Sequence, residues 1–188
     1  MYLFINSNLL KMLVFTQIIQ FLKINNYLII VVEDYNRMLV KLVERCPVQF
    51  INLSEINSIY QCAVACLETE EPRALSTVLE FMETFLSISV DTKNNKNNHN
   101  LLQLNKLPEM DLQKLMSVIQ ESSKDFILRM IKGLLYDFPR EEIVTIGIIL
   151  KYHTYYLPEI TINLMKESLN SYQVTDFEIN QFIEQYHK

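Results

Sequence analysis

Cys62 and Cys66 stand four residues apart, the spacing at which two thiolates on one face of a helix can share a zinc ion. A zinc site needs further ligands, and His99, His153 and His187 are isolated, with no second Cys/His pair at zinc-finger spacing. Small residues packed between helices account for Cys62 and Cys66 better than a metal centre does. Glu70 with Glu71 and Glu141 with Glu142 have the composition of a general acid/base couple. Each pair lies beside a proline, Pro72 or Pro139, in what reads as the first turn of a helix. There the backbone dipole favours negative charge by about 0.3–1 kcal/mol. No other reacting group accompanies them. Gly133 and Gly147 are the only glycines, so no phosphate-cradling loop or G-x-S-x-G elbow can be built, and no H-E-x-x-H occurs. The expectation is a chain that is not an enzyme, with no catalytic, cofactor-binding or metal-ligating residues.

The elements that would carry these residues read as helices throughout, because apolar residues recur at the i, i+3, i+4, i+7 spacing of a helix with one buried face. Tyr35, Met38, Leu39, Leu42 and Val43 form one stripe, and Ile56, Ile59, Tyr60, Ala63, Val64 and Leu67 a second. Leu75, Val78, Leu79, Met82, Phe85 and Leu86 form a third, just inside Pro72, a residue tolerated in a first turn. From Leu112 to Leu135 the phase holds for about six turns at 3.6 residues each, with Ser122 and Ser123 as the weak point where one long helix would bend. Pro139 opens a helix carrying Ile143, Ile146, Gly147 and Leu150; Pro158 opens one carrying Thr161, Leu164, Met165 and Leu169. A last helix holds Ile179, Phe182, Ile183 and Tyr186, with Thr175 and Glu178 spaced as a capping box.

Two segments stand apart. Residues 1–32 are largely apolar from Met12 to Val32 but broken by Thr16, Gln17, Gln20, Lys23, Asn25 and Asn26. No positive charge precedes Lys11 and no small-residue cleavage site follows, which argues against a secretory signal. A membrane span would hold Lys23 in lipid at a cost of roughly 3 kcal/mol, so the segment reads as a packed or terminal helix. Residues 91–106 read as an Asn-rich loop without an apolar residue between Val90 and Leu101.

Composition narrows the function. A length of 188 residues, 49% hydrophobic, is enough for one domain with a sizeable core. A net charge of -5, with Lys41, Arg45, Lys124, Arg129 and Lys132 scattered among acids, argues against direct nucleic-acid binding. Three cysteines cannot all pair within the chain, which suits a reducing compartment. Helices starting near Glu33, Ser54, Glu70, Glu109, Arg140, Pro158 and Thr175 give pairs with a period of roughly 40 residues, the HEAT/armadillo range. The expected fold is therefore all-α: antiparallel helical hairpins stacked as an α-solenoid over residues 33–188, a surface for holding other proteins.

Three runs carry a family resemblance: Glu33-Asp-Tyr-Asn-Arg-Met-Leu-Val-Lys-Leu-Val-Glu-Arg-Cys-Pro47, the stretch from Ile59 to Leu86, and Leu157 to Leu169 followed by Val174 to His187. In order and helix length these resemble the C-terminal HEAT repeats of karyopherin-β nuclear transport receptors, of the transportin-SR and importin-thirteen branch. The resemblance implies a receptor fragment working between nucleus and cytoplasm. Its partners would be serine/arginine-rich splicing-factor-type protein cargo, nucleoporins, and Ran-GTP bound through N-terminal repeats that this chain does not contain. No short motif supports carrying over individual binding residues. Exposed acids such as Glu68 and Glu70 are candidates for steering basic cargo. A helical scaffold outside nuclear transport has the same periodicities, and a membrane-anchored protein rests on residues 12–32.

Overall fold

Each of the five prolines stands at the start of a helix, where its missing N–H leaves no intrahelical bond unmade. A computed structural model describes residues 28–90, 107–175, 178–179 and 181–182, and all regular structure among them is helical. The helices are α1 (Leu28–Arg45), α2 (Pro47–Ile51), α3 (Ile56–Cys66), α4 (Pro72–Ser87), α5 (Glu109–Lys132), α6 (Ile143–Tyr156) and α7 (Pro158–Ser171). A single wide turn, Gly133–Asp137, and a 3-10 turn, Arg140–Glu142, link α5 to α6. Pro47, Pro72 and Pro158 occupy the first helical turn, and Pro108 and Pro139 immediately precede one. Thr175 and Glu178 form the expected capping box. The Thr175 N–H donates to Glu178 Oε2 at 3.1 Å, and the Glu178 N–H donates back to Thr175 Oγ1 at 3.4 Å. The hydrogen bonds from Thr175 hold the Glu178 carboxyl below its usual range.

The expected stripes of α3 and α4 are buried in full. The α7 stripe of Thr161, Leu164, Met165 and Leu169 also faces the core, and that of α5 does so as far as Ile131, whereas those of α1 and α6 are shifted. α1 is already helical at Leu28, ahead of the Glu33 start. Its buried face runs through Val32, Tyr35, Asn36, Leu39, Val40 and Val43, while Met38 is 39% exposed. Asn36 is accommodated because its Nδ2 donates to the Val32 carbonyl at 2.8 Å. Ser122 and Ser123 do not interrupt α5: both are buried, and as small residues they let the neighbouring helices close in. On α6 the buried face is Ile146, Ile149, Leu150, His153 and Tyr156, whereas Ile143 and Gly147 face outward. The expectations for residues 1–27, for the Asn-rich segment 91–106, and for Ile183 and Tyr186 lie outside the described residues.

Packing follows two rows. α4 lies against both α1 and α6, and α5 lies against both α3 and α7. α3, α5 and α7 run in the same direction, as do α4 and α6. Asn57 at the start of α3 donates to Glu121 on α5 at 2.8 Å, and Glu68 beyond the end of α3 pairs with Arg129 further along α5. Lys124 of α5 reaches Glu167 of α7 at 3.9 Å, and Tyr136 past the end of α5 meets Tyr172 past the end of α7. Glu83 of α4 neighbours Tyr152 of α6, while Leu86 and Ser89 meet Tyr156 one turn on. The buried side chains of these helices form one continuous core.

Tyr156 ties α6 to the end of α4. Its hydroxyl donates to the Leu86 carbonyl at 2.8 Å and accepts from Ser89 Oγ at 2.8 Å. A carbonyl in the last turn of a helix has no intrahelical donor, so this bond replaces water. Tyr156→Phe should cost about 1–2 kcal/mol by leaving that carbonyl unpaired. Urea denaturation with an unchanged slope would read it, and a loss below about 0.3 kcal/mol would mean that water reaches Leu86.

Candidate protein-interaction surface

The residues nominated by chemistry are dispersed by the fold. Cys62 is buried and Cys66 half-buried on one face of α3, both with free thiols. Hydrogen bonding between the two lowers the Cys62 pKa, against burial, which raises it. No group of three or more His, Cys, Asp or Glu able to hold a metal ion lies among the described residues. Glu70 is exposed ahead of α4 with Glu71 at its N-cap, and Glu141 and Glu142 sit in the 3-10 turn before α6. The two acid pairs occupy different hairpins. Glu68 is not a free acid, since it holds Arg129 across the α3–α5 contact. His99 and His187 fall outside the described residues.

His153 is fully buried where α5, α6 and α7 meet. Its Nδ1 lies 2.8 Å from Thr161 Oγ1 and its Nε2 3.2 Å from Ser123 Oγ, and its ring stacks on Phe126 with centroids 4.9 Å apart. Thr161 Oγ1 donates to the Leu157 carbonyl at 2.7 Å and Ser123 Oγ to the Ile119 carbonyl at 2.8 Å, so both hydroxyl oxygens face the ring as acceptors and the single N–H of the neutral imidazole donates to one of them. Burial drives the His153 pKa down to about 3, which keeps the ring neutral. Closed off from solvent, with a hydroxyl oxygen beside each ring nitrogen, this imidazole serves to join three helices.

What reaches solvent in quantity is apolar surface after Lys132. Leu135, Tyr136, Ile143, Val144 and Tyr155 are 41%, 66%, 51%, 73% and 62% exposed. Leu135 belonged to the expected buried stripe of α5, and the wide turn explains the difference. The Phe138 N–H donates to the Gly133 carbonyl at 2.7 Å, five residues back, so one extra residue enters the turn and the 3.6 period is lost. Leu135 and Tyr136 rotate outward. Gly133 permits the turn because a Cβ there would lie 2.2 Å from the Phe138 ring. At Gly147, by contrast, an added Cβ would meet nothing within 4 Å.

The two glycines therefore respond oppositely to alanine. Gly133→Ala should destabilise by about 1–3 kcal/mol through overpacking against Phe138. Gly147→Ala should stabilise by about 0.5–1 kcal/mol through helix propensity and a less flexible unfolded chain. Thermal melts of dilute protein would read both, and equal signs would contradict this account of the turn.

Exposed apolar side chains interspersed with charges are a composition that protein contacts use. No described helix is long and apolar enough to cross a membrane. No family model matches the chain, and no curated protein matches it.

Proposed function

We propose that the chain is a run of HEAT-like hairpins forming an α-solenoid, and that it works as the C-terminal part of a karyopherin-β type nuclear transport receptor. The observation that carries the repeat reading is the same-direction stacking within each row, α3 with α5 and α7, α4 with α6. A closed up-and-down bundle sets neighbouring helices antiparallel, whereas displaced copies of one hairpin give parallel neighbours. α6 and α7 pack as one such hairpin, and the roughly 40-residue period is read from the helix starts. The transport assignment rests on the three quoted sequence runs between Glu33 and His187.

In this reading affinity comes from many small contacts along an array that flexes slightly at each hairpin. Cargo would be arginine/serine-rich protein, steered by exposed acids, with Glu70 available and Glu68 committed to Arg129. Ran-GTP and nucleoporins would be the further partners, and the protein would shuttle between nucleus and cytoplasm. The test uses the whole gene product containing this chain on an immobilised arginine-serine repeat peptide. Retention at low salt and release by GTP-loaded Ran are expected. Absence of binding would remove the transport reading and leave a helical scaffold for other protein partners.

A further inference from the structure

We propose that the outer face of α6 is a self-association surface, on which α6 of a second copy of this chain docks antiparallel about a two-fold axis near Gly147. α6 is apolar on both sides. Its inner face carries Ile146, Ile149, Leu150 and Tyr156, while Val144 and Tyr155 point outward at 73% and 62% exposure. A helix apolar all round normally buries both faces. Its row-mates are more strongly charged outward: α1 exposes Arg37, Lys41 and Glu44 beside Ile30 and Met38, and α4 exposes Arg73, Ser76 and Glu80.

Two features select a second copy as the occupant. Gly147 is exposed on this side with empty space where a side chain would stand, so another backbone can approach closely. The flanking charges are self-complementary. Glu141 and Lys151 form no ion pair among the described residues. The antiparallel register that sets Glu141 against Lys151 of the second copy also sets Val144 against its Ile148, with the same contacts made twice by symmetry. A peptide ligand would need its own matching charges, whereas the face already supplies both partners. This inference is independent of the transport reading, since it concerns the exposed side of one helix.

Sedimentation velocity of the full chain over a micromolar concentration series is the test. A reversible monomer–dimer equilibrium is expected, with Lys151→Glu or Glu141→Lys weakening it about ten-fold or more and the double swap restoring it. Gly147→Leu, whose Cβ would meet nothing within 4 Å in the monomer, should abolish association while thermal stability at low concentration is kept. Monomer throughout the series would overturn the proposal. So would association that is indifferent to the charge swap or to Gly147→Leu.

Discussion

Phe85→Ala should remove about 3–5 kcal/mol of stability, a large share of the 5–15 kcal/mol that a domain of this kind possesses. The Phe85 side chain is fully buried on α4 and lies within ring-contact distance of three other aromatics. Centroid separations are 6.1 Å to Phe50, 5.1 Å to Tyr60 and 5.8 Å to Phe81, the Phe50 contact being edge-on at 72°. These rings come from α2, α3 and α4, so truncation opens a cavity at a joint between hairpins, where no single side chain can rotate in to fill it. The aromatic pairings add about 0.5–1.5 kcal/mol each beyond simple burial. Urea denaturation should show a much lower midpoint with an unchanged slope, and Phe85→Leu should recover part of the loss. A cost below about 1 kcal/mol would mean that the first two hairpins do not share a core.

Acid should destabilise the protein through His153, by about 2 kcal/mol between pH 7 and pH 5. The group has a model-peptide value of 6.5 and is held near 3 in the native state by burial. Between those values the unfolded chain binds a proton that the folded chain does not. The contribution to stability is therefore complete above about pH 6.5 and is lost progressively as pH falls toward 3. Glu83 acts in the opposite sense. Burial, and then Glu80, raise its pKa, so its contribution diminishes as pH rises through the shifted value. Half-exposed and only moderately shifted, it does not cancel the histidine. Stability measured by urea at pH 7, 6 and 5 should fall in the native protein and fall much less in His153→Leu. Should that variant fail to fold, imidazole NMR of the native protein gives the same answer. His153 should keep its neutral chemical shifts down to about pH 4, and a titration near 6.5 would contradict the buried geometry.

The helical class, the proline-marked starts and the α3 and α4 faces follow from residue order alone, because periodicity and backbone restrictions act over one or two turns. The same local rule misplaced Leu135 and Ile143. A phase carried forward at 3.6 residues per turn cannot register the extra residue admitted at Gly133, a step that depends on where the Phe138 ring packs. His153 was invisible as a structural centre for a related reason. Its two hydroxyl partners, Ser123 and Thr161, lie on other helices, and Ser123 resembled a weak point in α5 rather than a polar contact. Met38 was expected in the core, but Asn36 lies there, its amide N–H donating to the Val32 carbonyl one turn back.

From residue order come the helical class of the described residues, the capping box at Thr175 and the rough spacing of the helix starts, since each depends on neighbours a few positions away. Tertiary packing alone decided that α3, α5 and α7 run the same way, that Glu68 is spent on Arg129, that His153 stays neutral, and that α6 keeps an apolar side facing solvent. Those outcomes turn on groups far apart in the chain, whose meeting is set by how whole helices stack.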